Sequence, residues 1–238
     1  NRRIAPDEAL IAAWLKRLKI DKLDAVIVSH SHFDHAMDAG VVARMTGARL
    51  VGSESTLNIG RGAGVEPAAL QLIHTTKALS FGKFQLSFVA SEHAGRTGGR
   101  PIGDIEAPLQ VPAHYLDYKL GGAYSILVDH PQGSILHHGS AGFIPGALDD
   151  RQADVVFLGV ALIDGLDPYL RETVDAVGAR RVIPTHWDNF TLPLDQPLLP
   201  MPFVVHLDDF FDEMRKLRPG VQVQTMLPGE PVVLFPQG

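Results

Sequence analysis

The stretch Asp24-Ala25-Val26-Ile27-Val28-Ser29-His30-Ser31-His32-Phe33-Asp34-His35 is an apolar, β-branched run that ends in three imidazoles and a carboxylate. Val and Ile favour a pleated backbone, and a short unbroken apolar run of this kind predicts a buried strand over 24–29. The reactive side chains follow at once, on the rigid end of that strand. In an extended or turning segment His30 and His32 point the same way, while Asp34 and His35 turn toward a neighbouring point. One short segment can then serve two adjacent metal ions. Imidazole nitrogen and carboxylate oxygen are the donors that Zn²⁺ and its neighbours accept where no thiolate exists, and the chain has no cysteine. With 11 histidines in the chain, a fixed pattern of three His and one Asp arises somewhere by chance with a probability on the order of 10⁻³.

Outward from this segment, strands alternate with helices, which predicts α/β layers. Pro6-Asp7-Glu8 opens a helix, and Leu10, Ile11, Trp14, Leu15 and Leu18 recur at helical spacing over 7–19. Residues 36–45 predict a helix closed by Gly47, 48–52 a strand and 54–61 a short helix. Phe84–Ser91 alternates apolar with polar residues and predicts a strand with one face on the core. Residues 123–128 and 134–138 predict two strands around a turn at 129–133. Residues 154–160 predict a buried strand, Asp167-Pro168 a helix to about 177, and 181–184 a short strand. Leu207–Leu217 predicts the last helix, with terminal strands at 221–226 and 231–235. The segments 94–118 and 191–202 are rich in Gly and Pro and aperiodic, and loops of such length in a compact domain tend to be functional or mobile.

Composition bounds the function classes. The chain has 238 residues with no repeat and no shift in composition, which predicts one domain over 1–238. An apolar fraction of 45% with 20% charged residues excludes wholesale disorder. With 27 acidic against 21 basic residues, the formal charge of −6 argues against a surface built to grip nucleic acid. No apolar run approaches the ~20 residues of a membrane span. The absence of cysteine excludes disulfides and a thiol nucleophile. A small-molecule substrate is the expectation that remains.

The pattern His-x-His-x-Asp-His after a strand, with single histidines far downstream, resembles the metallo-β-lactamase superfamily from Asp24 to about Phe190. The resemblance implies a four-layer αβ/βα sandwich and hydrolysis by a metal-activated water. Glu92-His93-Ala94 fits the third ligand position of the first metal, and Ile183-Pro184-Thr185-His186-Trp187 fits the last histidine. The Pro-x-His-aromatic form is most similar to the branch that contains ascorbate-phosphate lactonase. The implied ligand sets are His30, His32 and His93 for one ion, and Asp34, His35 and His186 for the other. Zn²⁺ is the first choice, with Mn²⁺ and Fe²⁺ compatible with the same donors. Asp34 takes the further role of orienting the nucleophile or moving its proton.

Two departures from the family pattern matter. Family members carry a metal-bridging aspartate after a strand, and here that strand ends His137-His138-Gly139-Ser140. With Ser140 in that place, two divalent ions would face one protein carboxylate and keep about one extra positive charge. Weak binding of the second ion is the leading expectation. Compensation by Asp188 or His138, or use of the extra charge to bind an anionic substrate, are the others. The second departure is at the front, where the family has two or three strands before the first helix. This chain opens Asn1-Arg2-Arg3 almost at that helix, so its first strands are expected to lie outside the numbered residues.

Among the other histidines, His138 is a candidate proton donor or replacement ligand, or else a packed strand-end residue. His137 reads as structural. His114 and Tyr115 are candidate lid residues in the 94–118 loop. Asp188 is a candidate hydrogen-bond partner for a ligand imidazole. His74, His130 and His206 read as surface residues. Besides a hydrolase of a small ester, lactone or phosphodiester, the sequence admits a metal-binding or sensor protein whose catalysis is weakened by the loss of the aspartate. A redox di-iron protein of the same fold fits less well, because His32 stands where those proteins usually carry Glu.

Overall fold

The computed structural model describes residues 3–95, 101–193 and 196–235. The chain runs β1 (Arg3–Ile4), α1 (Glu8–Arg17), β2 (Ala25–Ile27), α2 (Phe33–Ala36), α3 (Ala39–Thr46), β3 (Arg49–Gly52), α4 (Glu54–Gly62), β4 (Leu70–Leu72), β5 (Leu79–Phe81), β6 (Phe84–Ser91) and β7 (Ala113–His114). It continues through β8 (Ala123–His130), β9 (Gly133–His138), β10 (Val155–Gly159), α5 (Leu166–Leu170), β11 (Arg181–Thr185), α6 (Leu207–Leu217) and β12 (Gln222–Val223). Two compact units result, one from Asn1–His74 with Thr97–Ala123, the other from Thr75–Arg96 with Tyr124–Gly238.

The first unit is a three-stranded parallel sheet, β2-β3-β4, with Ile27 level with Val51 and Gly52 level with Leu72. Its helices form where the sequence supplies caps. Asp7 accepts the Leu10 N–H at 2.9 Å and starts α1. Gly47, with φ of 70°, closes α3 in a left-handed conformation that costs glycine nothing. Ser53 caps α4, which is buried from Ser55 through Gly60. Val28, Ala39, Ala43, Leu50, Ile59 and Tyr118 form the core of this unit. The Asn58 amide donates to the Ile105 carbonyl at 2.6 Å, and the Leu109 N–H donates to the Asn58 carbonyl at 3.0 Å, so the segment after residue 101 is stitched to α4.

The second unit is a seven-stranded mixed sheet in the order β12-β11-β10-β9-β8-β6-β5. The pairs β12-β11, β11-β10 and β10-β9 are parallel, and β9-β8 is antiparallel across the turn at residues 131–132. Leu136, Val156, Leu158, Leu170, Val174, Val182 and Met214 are wholly buried in its core. Each such side chain contributes roughly 1.5–3 kcal/mol relative to exposure. The Arg218 guanidinium, just past α6, bonds Asp175 at 2.8 Å and Asp167 at 3.0 Å and so ties the last helix to the α5 region.

The sequence reading locates most of these elements and misses others for physical reasons. The chain does not begin on its first helix: β1 precedes α1 and pairs with β7, inside a segment that composition marks as loop. The strands β4 and β5 have three residues each, too short to establish a period. The expected helix over 36–45 starts three residues later, as α3 at Ala39, and a separate single turn, α2, forms over Phe33–Ala36; the one over 167–177 passes from α5 into a single wide turn at Arg171–Asp175. The expected strand at 231–235 does not form. There the carbonyls of Val233 and Leu234 accept from the Arg181 guanidinium at 3.0 and 3.2 Å, and Val233 is 70% exposed. The one at 221–226 shortens to β12. Parts of the two long loops, at 96–100 and 194–195, lie outside the described residues.

A Cβ added at Gly62 would lie 1.8 Å from the Leu109 carbonyl oxygen, which is backbone. Alanine gains up to about 1 kcal/mol of helix propensity over glycine, whereas overpacking against immovable atoms costs about 1–3 kcal/mol. Gly62→Ala is therefore expected to destabilise the protein by about 1–2 kcal/mol in urea unfolding, the opposite sign from propensity alone.

Candidate metal centre

In the first unit the His-rich segment changes conformation part-way along. His32 is extended (φ −62°, ψ 154°) and caps the single turn α2, which carries Asp34 and His35. The first two imidazoles therefore leave an extended backbone and the next two candidate donors leave a helical one. His30 and His32 are 1% and 7% exposed, with ring centroids 5.0 Å apart, and His30 lies 3.9 Å from the His35 ring. The Asp34 carboxylate is 3.3 Å from His35 Nε2. The His32 Nε2 faces the Pro101 carbonyl at 3.2 Å. A carbonyl only accepts, so this contact places the proton on Nε2 and the lone pair on Nδ1.

Beneath the histidines is a set of buried hydroxyls that motif reading does not reveal. Ser31 Oγ lies 2.8 Å from Thr56 Oγ1 and 3.2 Å from Ser53 Oγ, and the Ser31 N–H donates to the Leu120 carbonyl at 2.9 Å. One signal for it exists in the sequence. Where His30 and His32 share one face of an extended segment, Ser31 must face the opposite way.

In the second unit, β6 delivers His93, and the parallel strands β9 and β11 deliver Ser140 and His186. His93 Nδ1 is 2.9 Å from the Ala94 carbonyl. Ser140 Oγ accepts the Ala94 N–H at 2.8 Å, so this side chain binds backbone. His186 has a φ of 57°, an uncommon left-handed conformation for a residue with a side chain, and its ring meets Phe190 edge-on at 6.1 Å. Asp188 forms an isolated backbone bridge with Pro200.

His138 requires a correction. It is fully buried, with Nδ1 2.7 Å from Ser125 Oγ and Nε2 2.8 Å from the Gly142 carbonyl. The carbonyl must accept, so Nε2 carries the hydrogen and Nδ1 accepts from the Ser125 hydroxyl. Desolvation pulls its pKa down to about 4, against the opposing effect of the Gly142 carbonyl. With both nitrogens engaged, His138 has no proton to donate at neutral pH and no lone pair for a metal. The other histidines also have local roles. His114 Nδ1 accepts the Leu116 N–H at 3.2 Å and caps a short turn, with its ring 4.6 Å from Tyr115. Tyr115 stands 6.1 Å from Phe33 of the motif. The His130 ring lies 4.7 Å from that of Phe84, tilted by 33°, His74 is exposed, and His206 lines a surface cavity of about 530 Å³ with Trp187 and Leu198.

Among the described residues, two groups of side chains offer one ligand atom each within 4.8 Å of one another: His30, His32 and His93, and Asp34, His35 and His186. Five imidazoles and one carboxylate are a donor set suited to borderline divalent ions.

A sequence profile of the metallo-beta-lactamase superfamily matches residues 4–218. A relative from Myxococcus xanthus (strain DK1622), a UPF0173 metal-dependent hydrolase, is 26% identical over 249 residues, covering 97% of this chain and 78% of its own. Another UPF0173 metal-dependent hydrolase, from Anaeromyxobacter dehalogenans (strain 2CP-C), is 25% identical and covers 90% of this chain and 72% of its own. Among solved structures, Igni18, a metallo hydrolase from Ignicoccus hospitalis, superposes with a TM-score of 0.57 at 15% identity, over 89% of this chain and 79% of that one. The metallo-beta-lactamase fold protein YhfI from Bacillus subtilis gives 0.56 at 14% identity, over 87% and 76%. At these identities the structures speak for the fold alone.

The buried state of His138 has a measurable consequence. Unfolded, it takes up a proton near pH 6.5; folded, it does so only near pH 4. Its contribution to stability is thus complete above pH 6.5 and is lost as pH falls toward 4, by up to about 3 kcal/mol. Denaturant unfolding at pH 7 and pH 5 is expected to show a drop that is about 2 kcal/mol smaller in His138→Asn than in the wild type.

Proposed function

Because the chain belongs to the metallo-β-lactamase superfamily, we propose that it is a metal-dependent hydrolase acting on a small ester, lactone or phosphodiester. The observation that carries this reading is the grouping of six metal-type donors into two sets of three. In it, residues 1–238 work as one catalytic domain. His30, His32 and His93 hold one ion, Zn²⁺ in the first instance, and Asp34, His35 and His186 hold a second. A bound ion supplies a water of lowered pKa and an electrophile for the scissile carbonyl or phosphoryl oxygen.

The rest of the chemistry falls to the chain. Asp34 is the residue that accepts the proton of the attacking water or orients it, since His138 has no free nitrogen for that work. The tautomer set by the Pro101 carbonyl leaves His32 Nδ1 as the nitrogen with a lone pair, the one that would serve as ligand. The first donor set is all imidazole and neutral. The second has the single carboxylate of Asp34, and Ser140 Oγ is engaged by the Ala94 N–H. With one ion already in place, Asp34 is the one carboxylate in these two sets to offset the repulsion between two divalent ions, so the second ion to bind is held more weakly. That same engagement of Ser140 favours the alternative reading, a metal-binding protein with weakened catalysis. Turnover of a generic ester with added Zn²⁺ or Mn²⁺ separates the two.

Elemental analysis of protein purified without added metal is expected to give nearer one ion than two per chain, rising toward two with added metal. His30→Ala and His93→Ala are expected to lose the tightly held ion. Asp34→Asn is expected to keep it while lowering kcat by at least about 100-fold. Unchanged metal content in His30→Ala or His93→Ala would refute the ligand assignment.

A further inference from the structure

Two hydrogen bonds join the end of β9 and the turn after it to the end of β6 and the residues after it, and two more contacts, one within each segment, orient them. The Ala94 N–H donates to Ser140 Oγ at 2.8 Å. The Ser91 hydroxyl donates to the Gly142 carbonyl at 3.1 Å, and His138 Nε2–H donates to the same carbonyl at 2.8 Å. Finally, His93 Nδ1 lies 2.9 Å from the Ala94 carbonyl. The two backbones touch, since a Cβ on Gly142 would stand 2.6 Å from the Glu92 carbonyl and from the His93 carbonyl carbon. No side chain fits there, so the 139–142 turn lies flat against residues 92–93.

The chemistry of these bonds has a direction. The Ala94 carbonyl has no hydrogen to give, so His93 Nδ1 must be the protonated nitrogen and Nε2 carries the lone pair. The Ala94 N–H belongs to the 93–94 peptide and its carbonyl to the 94–95 peptide, and Ser140, by holding the first, restrains one of the two planes that meet at the Ala94 Cα. We infer that Ser140 is a positioning residue for His93: its hydroxyl fixes Ala94, whose carbonyl fixes the tautomer and ring orientation that aim Nε2 at the metal. This inference rests on the metal assignment proposed above and adds a specific role for the hydroxyl. Ser140 is then neither a metal bridge nor a spectator. Partners one step behind a ligand histidine typically change metal affinity by 10–100-fold when removed.

The test is titration of Co²⁺ into metal-free full-length protein, followed by chelator competition and by the visible d–d absorption of the bound ion. Ser140→Ala is expected to weaken the first equivalent at least tenfold and to alter its absorption, while Ser140→Thr restores both. ¹⁵N imidazole NMR of the metal-free wild type is expected to show His93 as the Nδ1–H tautomer and Ser140→Ala to show a mixture. Circular dichroism of the metal-free variants checks that the fold is retained. If His93→Ala loses the first equivalent but Ser140→Ala binds with wild-type affinity and spectrum, the role of Ser140 is overturned and the ligand assignment survives. Failure of Thr to restore binding, or an Nε2–H tautomer in the wild type, also overturns it. If His93→Ala binds Co²⁺ as the wild type does, the ligand assignment itself falls, and this inference with it.

Discussion

Parallel strands that end level with one another are the constraint on which the candidate site depends. In the second unit, Leu158 pairs with His138 and Gly159 with Thr185, so β9, β10 and β11 finish on one line. A slip of one residue would turn every side chain to the opposite face, removing His138 from its buried bonds and displacing Ser140 and His186. The line is held by more than the ladder. Gly159 leaves no space beside the Gly139 carbonyl, where a Cβ would stand 2.8 Å away, and its own carbonyl receives the Tyr169 hydroxyl at 2.9 Å. The first unit follows the same rule with β2, whose last residues are level with Val51 and whose continuation is the His-rich segment. Ligands gather at the carboxyl ends of parallel strands because that is where irregular backbone can leave a rigid sheet.

The second regularity is that hydroxyls and one histidine hold the site from behind. Ser31, Ser53 and Thr56 satisfy one another under His30 and His32. Ser125 and the Gly142 carbonyl satisfy His138. Buried polar groups are costly unless fully paired, and fully paired they define one geometry. The cost surfaces as acid sensitivity, because a neutral buried imidazole resists the proton that the unfolded chain accepts. A metal site built mostly from imidazoles needs such backing, since the rings have little attraction for one another before an ion arrives.

The legibility of the chain follows the same physical lines. The strand–His segment was legible because all its information is local: β-branched residues, then donors at fixed spacing. The helices α1 and α6 were legible because ten or more residues establish a period. His93 and His186 were not legible from local pattern. Each is a lone histidine after a strand, and only the resemblance to a family singled them out from His74, His130 and His206. His137 and His138 show the limit of composition, since adjacent imidazoles at a strand end suggest chemistry while the three-dimensional partners of His138 are a serine and a carbonyl. The short strands β1 and β7 were hidden because two-residue elements are defined by their pairing and not by their sequence.

Ser140 illustrates how a single residue type can decide between charge and position. A carboxylate at the end of β9 would bring a negative charge to a metal and lower the repulsion between two ions. A hydroxyl brings almost no charge but can accept an N–H at 2.8 Å, and here it accepts that of Ala94. The two uses compete for the same atom. In the proposed reading the chain uses this position for the geometry of His93, which strengthens the first ion, and the donor set of the second ion holds Asp34 as its one carboxylate among the described residues. An anionic group on the substrate is then the natural complement to the second site, because it restores the charge that the hydroxyl withholds. Under that proposed logic, tight binding of one ion and a preference for an anionic group on the substrate are expected to go together.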